Sequence, residues 1–308
     1  MITPLFLFSL PRSGSTLTQR ILSSHEEIAT VSEPWILLPY LYTLKRQGIH
    51  SEYDHKHTTE AIRQFCLELP NGKNDYLAEI RSFILQLYHK AAKDGEKYFL
   101  DKTPRYSLVV ENIIDLFPEG KFVFLWRNPL AIIASIVETW TDRKFNLAHN
   151  QIDLFDGLSN LIAAYEKYAD KSCVIHYETL LVSPESELRR MFDYLEMPFD
   201  VSLLSTFGDV QLQGKLGDKT GIHQYKSVNQ EPLTKWKHTL DNPVRKAWCR
   251  RYLKWIGKER LAVMGYSLEK LLIELDASPS NLRMVGPDLI RIIYGNASNL
   301  LGTKLIFN

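Results

Sequence analysis

The chain is poor in the features that define several protein classes outright. It has 3 cysteines in 308 residues, Cys66, Cys173 and Cys249. So few, odd in number and far apart, argue against a disulfide scaffold and fit a reducing compartment. No stretch approaches the roughly 18 consecutive apolar residues that a membrane span needs. The N-terminal apolar run lacks a basic leader and a small-residue cleavage site, so no signal peptide is expected and a cytoplasmic location is. Neither charge dominates: 37 Lys and Arg face 36 Asp and Glu, for a net charge of +1. A broad basic field for nucleic acid is therefore lacking. There is no internal repeat and no low-complexity tract. His55-Lys56-His57 offers two imidazoles in a polar stretch, too few ligands for a metal site. What remains is an ordinary globular composition, 45% apolar and 24% charged.

The informative residues begin at the N-terminus. Pro4-Leu5-Phe6-Leu7-Phe8 is an apolar run, followed by Ser9-Leu10-Pro11-Arg12-Ser13-Gly14-Ser15-Thr16-Leu17. The pattern predicts a buried strand, a tight polar turn and the first turn of a helix. Backbone N–H groups and the dipole at a helix N-terminus favour an anion there. Arg12 adds a planar cation, Ser13, Ser15 and Thr16 add hydroxyls, and Gly14 allows close backbone approach. The nucleotide P-loop, G-x-x-x-x-G-K-[ST], is the nearest general motif, but no glycine precedes Gly14 and Ser15 stands where its Lys would. That Lys reaches the terminal phosphates of a triphosphate, so the loop suits a nucleotide with a different end group.

A second segment has the same logic. Lys121-Phe122-Val123-Phe124-Leu125-Trp126 reads as a strand buried on both faces and runs into Arg127-Asn128-Pro129. Pro129 suits the first turn of a helix. Arg127 then stands at the C-terminal end of a strand, where open α/β sheets bind ligands. Ser135 lies two helical turns on and returns to the same side, so the pair suits a second phosphate.

On these residues the chain resembles the sulfotransferases that use 3′-phosphoadenosine 5′-phosphosulfate (PAPS). Pro11 to Leu17 resembles their 5′-phosphosulfate loop, and Phe124 to Ser135 their 3′-phosphate motif. His176-Tyr177-Glu178-Thr179-Leu180 is similar to the family segment whose Tyr lies against adenosine. Lys226-Ser227-Val228-Asn229-Gln230-Glu231 through Trp236 resembles the segment that closes over the cofactor. The likeness runs in the family's order from residue 4 to about 240. It implies a P-loop-NTPase-like three-layer α/β fold, a central parallel sheet flanked by helices. It also implies PAPS as donor, PAP as product, and a cofactor site of Arg12, Ser13, Gly14, Ser15, Thr16, Leu17, Arg127, Ser135, Tyr177 and Lys226.

The loop carries Arg12 rather than Lys, as in protein-tyrosine sulfotransferases and related bacterial and carbohydrate enzymes. In the tyrosine enzymes a catalytic Glu follows that Arg by twenty-one residues, and Glu33 stands there. Tyr98-Phe99-Leu100-Asp101-Lys102-Thr103-Pro104 is similar to the segment with their catalytic Lys, matching Lys102. The resemblance thus makes Glu33 the base, with Arg12 and Lys102 stabilising charge in an in-line transfer without a metal. It leaves the acceptor open: a small metabolite or glycan is expected, with peptide tyrosine as the alternative, no nucleic acid, and a homodimer allowed. A kinase-like P-loop enzyme or a non-catalytic nucleotide-binding module are the readings from other classes.

Alternating strands at 4–9, 97–100, 121–126 and 172–176 with intervening helices argue for a parallel sheet covered on both faces. A single domain over 1–308 is expected, with a helical insertion at about 35–93 and a helical tail at about 267–308. Residues 206–232 read as a long loop and a candidate lid. Trp35, Tyr40 and Tyr42 read either as acceptor-site lining or, by default, as helix core, and the basic cluster from Arg245 to Lys258 as a solvated helix face.

Overall fold

Alternate side chains of the central strands feed two different cores, which is why those strands read as unbroken apolar runs. In β1 (Thr3–Phe8), Leu5 and Leu7 join an aliphatic layer while Phe6 and Phe8 join an aromatic one. In β4 (Lys121–Trp126), Val123 and Leu125 face the first layer and Phe122, Phe124 and Trp126 the second. Phe6, Phe8 and Phe122 stack with ring centroids 5.9–6.2 Å apart. The structure, a computed structural model, describes residues 2–93, 95–210, 212 and 228–300, without the side chains of 296–300.

With β2 (Ile28–Thr30), β3 (Tyr98–Asp101) and β5 (Ser172–His176), these strands make a five-stranded parallel sheet of order β2-β3-β1-β4-β5. Helix α1 (Ser15–Leu22) follows β1, and α2 (Leu37–Tyr42), α3 (His55–Leu67) and α4 (Lys73–Ala91) stand between β2 and β3. A 3₁₀ segment (Pro104–Leu108) and α5 (Val110–Leu116) lead to β4; α6 (Pro129–Thr139) and α7 (Leu158–Tyr168) lead to β5. Helices α8 (Tyr177–Val182) and α9 (Pro184–Tyr194) follow β5, and α10 (Pro232–Thr239), α11 (Pro243–Val263), α12 (Leu268–Ala277) and α13 (Val285–Leu300) complete the chain. The fold is the expected three-layer α/β arrangement.

Some elements depart from the sequence reading. β2 is a strand of 3 residues at the sheet edge, too short to show a period. Trp35 is not helix core: it has φ 59° in the turn before α2 and is partly exposed. The basic cluster on α11 is not uniformly solvated. Arg245 is buried, donating from Nε to Asp288 Oδ2 at 2.7 Å, and buried Lys246 donates to the Ser278 carbonyl. Most of the 206–232 loop, 211 and 213–227, lies outside the described residues, and so do the lid expectation and Lys226. His55 opens α3 against the Lys45 carbonyl, and no group of three metal-ligating side chains occurs among the described residues.

Candidate active site

Parallel strands deliver the site residues from one edge of the sheet. The turn after β1 carries Arg12 to Gly14, and Lys102, Arg127 and Tyr177 directly follow β3, β4 and β5. Strand β1 sits between β3 and β4, although the chain visits β2 and β3 first. The loop after β1 is therefore at the reversal of strand order, where such sheets bind ligands.

The loop geometry follows from Gly14. Its φ is 90°, it forms the N-cap of α1, and no side chain caps that helix. Arg12 also has a left-handed backbone, φ 66°. A Cβ at Gly14 would fall 2.2 Å from Tyr177 Cε2, so the Tyr177 ring lies directly over the turn. Arg127 joins the same cluster: Nη1 donates to the Arg12 carbonyl at 2.6 Å, and the guanidinium lies 4.4 Å from the Tyr177 ring centroid. Arg12 Nε donates to Ser135 Oγ at 3.2 Å, with its guanidinium 5.8 Å from the Trp140 ring. Sequence reasoning assigns Arg12 and Ser135 to opposite ends of a nucleotide; here they touch. Ser15, Thr16 and Leu17 are buried in the first turn of α1.

Arg12, Arg127, Ser135 and Tyr177 line one cleft of about 340 Å³, together with Asn229, Lys235 and Trp236. Lys235 adds a cation that sequence reasoning did not single out, although it lies within the segment quoted from Lys226 to Trp236. Glu178 is a second omission. Its Oε1 accepts from Asn128 N at 2.9 Å and its Oε2 from the Tyr266 hydroxyl at 2.7 Å. That carboxylate fixes the Arg127–Asn128 turn, while Asn128 Oδ1 caps α6 through Leu130 N.

Glu33 and Lys102 form a separate pair beside this cleft, at the β2–β3 side of the sheet. Lys102 Nζ donates to Glu33 Oε1 at 2.7 Å, and the Lys side chain is 1% exposed against 11% for Glu33. Glu33 Oε2 accepts from Trp35 Nε1 at 3.1 Å. Behind Lys102 the Asp101 carboxylate is fully enclosed. Burial raises it to about 6, against the opposing pull of hydrogen bonds from Tyr88, Tyr106 and Thr103 and of the Lys102 charge. Burial also holds the Tyr88 and Tyr106 phenols well above their ordinary value, so both remain O–H donors.

The chemistry of the donors suits an anionic ligand. Ser13 Oγ and Arg127 Nε are buried without a hydrogen-bond partner among the described residues, and they stand on the two turns that meet at Tyr177. Buried donors of this kind favour an anion that can accept from them. Together the fold and site define an α/β protein with a P-loop-like anion turn that departs from the nucleoside-triphosphate motif.

Residues 4–201 match the model of the sulfotransferase family. The chain belongs to that family of transferases. Nodulation protein NoeE of Sinorhizobium fredii is 29% identical over 271 residues, 76% of this chain and 60% of its own length. The chain thus spans less than two thirds of that relative. Protein-tyrosine sulfotransferase 1 of Danio rerio is 24% identical over 293 residues, covering 90% of this chain and 74% of its own. Among solved structures, the sulfotransferase domain from the curacin biosynthetic pathway superposes with a TM-score of 0.54 at 20% identity, over 77% of this chain and 91% of that one. That likeness carries the fold.

Proposed function

We propose that this protein transfers the sulfuryl group of PAPS to a hydroxyl or amine of a small-metabolite or glycan acceptor. The observation that carries the reading is the meeting of Arg12, Arg127, Ser135 and Tyr177 in one cleft, next to the buried Lys102–Glu33 pair. PAPS supplies an activated sulfuryl group on a phosphate leaving group. Arg127 and Ser135 would hold the 3′-phosphate, and Tyr177 would pack against the adenosine. Ser13, Gly14, Ser15, Thr16 and Leu17 would present backbone and hydroxyl donors to the 5′ end; Lys226, assigned to the cofactor by resemblance, lies outside the described residues.

Transfer of this kind is a loose in-line displacement: the acceptor oxygen or nitrogen bonds to sulfur as the bond from sulfur to the bridging oxygen breaks. Charge grows on the departing oxygen, so catalysis rests on positioning and on fixed cations. Arg12 stays protonated and contributes charge alone. Lys102 donates to the transferring group once released from Glu33. Glu33 takes the acceptor's proton, a contribution of about 10²–10⁴-fold when the geometry is right. The 2.7 Å contact with Lys102 fixes where the Glu33 carboxylate stands.

Peptide tyrosine is the second acceptor reading, favoured by the likeness to the Danio rerio tyrosine enzyme. An acceptor screen with PAPS, read as a mass gain of one sulfo group, tests both. A gain on sugars or small alcohols and amines supports the first reading; a gain on tyrosine peptides alone supports the second. No gain on any acceptor class, with PAP bound normally, would favour a non-catalytic binding module.

A further inference from the structure

The proposed catalytic pair comes from two distant parts of the chain. Glu33 stands in the turn between β2 and α2, Lys102 at the end of β3. Besides their own ion pair, they share one anchor. The Asp101 side chain, 1% exposed, accepts hydrogen bonds on both oxygens: Oδ1 from Thr103 Oγ1 at 3.2 Å, Oδ2 from the Tyr106 hydroxyl at 3.0 Å and the Tyr88 hydroxyl at 2.6 Å.

Two of these hydroxyls are already acceptors. Thr103 Oγ1 accepts from Trp35 N at 3.3 Å, and the Tyr106 hydroxyl accepts from Leu37 N at 3.2 Å. A hydroxyl has one proton to give. The backbone N–H groups can only donate and carboxylate oxygens only accept, so each hydroxyl directs its single proton to Asp101. The result is two relays, Trp35 N–H to Thr103 to Oδ1 and Leu37 N–H to Tyr106 to Oδ2. The first starts in the turn that carries Glu33, the second at the first residue of α2 directly after it, and both end on the residue preceding Lys102. The Trp35 relay reaches Glu33 twice, because the Trp35 indole also donates to Glu33 Oε2.

We infer that Asp101 is a positioning residue: through Thr103 and Tyr106 it fixes the Glu33 turn against Lys102 and so sets the geometry of the transfer site. This rests on the functional reading given above for Glu33 and Lys102. Keeping a carboxylate enclosed in a protein costs stability unless its hydrogen bonds compensate. Three donated hydrogen bonds and an adjacent Lys are what this carboxylate has. Tyr88 anchors the same group to α4, so the hub also ties the pair to the inserted helices.

The test uses the full chain labelled with 5-fluorotryptophan, whose Trp35 line is assigned with Trp35→Phe. The variants are Asp101→Asn, Thr103→Val and Thr103→Ser. Asp101→Asn places an amide donor against hydroxyls that must donate, and Thr103→Val removes one relay at nearly constant shape. Both should move or broaden the Trp35 line and leave the Trp248 line in place. Both should lower kcat with the acceptor found in the screen, by about 10²-fold for a misplacement near 1 Å. PAP affinity should stay within about twofold, since none of these residues lines the nucleotide cleft. Thr103→Ser keeps the hydroxyl and should restore both the line and kcat, which a loss of bulk packing would not explain. If Asp101→Asn fails to fold, the Val and Ser pair at 103 carries the test alone. An unmoved Trp35 line in Thr103→Val overturns the proposal whether or not the protein transfers sulfate. A moved line in a protein with no PAPS-dependent transfer supports the anchor and counts against the functional reading instead.

Discussion

Gly14 satisfies two constraints at one position: a backbone at φ 90° and an aromatic ring where a Cβ would be. An alanine has to displace Tyr177 and adopt a conformation that costs about 1–2 kcal/mol for a residue with a Cβ. Gly14→Ala is expected to weaken PAP binding by at least tenfold in calorimetry, because it disturbs the turn and the Tyr177 ring over it together. Arg127 makes a sharper prediction. Loss of one charge-assisted bond to phosphate costs roughly 1.5–3 kcal/mol. Arg127→Ala should therefore weaken 3′-phosphorylated nucleotides much more than adenosine 5′-phosphosulfate, and an equal loss for both would contradict the 3′-phosphate assignment. Asp101 gives the protein a pH dependence whose sign is fixed. Its carboxyl is raised to about 6 from an ordinary 3.8, with burial as the main cause. Between those values the native state holds a proton that the unfolded chain has lost, so this group makes stability rise as pH falls from 6 toward 4. Asp153, raised to about 6 by burial beside Arg105, acts in the same direction. Denaturant melts at pH 4.5 and 7.5 should show a shallower pH slope in Asp101→Asn than in the wild type; an unchanged slope would count against the enclosed carboxylate.

Elements differed in how far the sequence revealed them. β1 and β4 were legible because both faces are buried, which leaves an apolar run bounded by polar turns. The turns after them were legible from their backbone requirements: Gly14 at φ 90° before α1, and Pro129 in the first turn of α6. β2 was hidden, being three residues at an edge with pairing supplied only by β3. The Asp101 hub was hidden for another reason. Its network draws on the turn before α2, α2, α4, Thr103 and the 3₁₀ segment, and only the fold brings positions 35, 37, 88, 101, 103 and 106 together. Glu178 is intermediate: the motif contains it, but its clamp on the Arg127 turn depends on Tyr266, far along the chain. Glu178→Ala leaves Asn128 N and the Tyr266 hydroxyl without that acceptor. It is expected to destabilise the protein by about 1–3 kcal/mol in denaturant melts and to weaken PAP binding indirectly. A loss of stability with PAP affinity intact would confine Glu178 to the fold.

Across the whole molecule the net charge is near zero, and the cleft lined by Arg12, Arg127 and Lys235 also carries the carboxylates of Glu138 and Glu231. A compact anion seated against the arginines rather than a broad basic field is what that mixture suits. No helix among the described residues is long and apolar enough to cross a membrane. A ligand bound only by the native state stabilises it by about 2.7 kcal/mol at a hundredfold excess over its dissociation constant. PAP should therefore raise the melting temperature clearly, and ATP with magnesium should not, since the loop lacks the Lys that reaches terminal phosphates. The reverse order would favour a kinase-like enzyme. The account stands most directly on the separation of binding from chemistry at Glu33. Glu33→Gln keeps the shape of the side chain and removes the base. With PAPS and the sulfated acceptor class, kcat should fall by about 10²-fold or more while PAP affinity is nearly unchanged. Near-wild-type turnover in Glu33→Gln would contradict the assignment of the base and with it the mechanism derived from the Glu33–Lys102 pair.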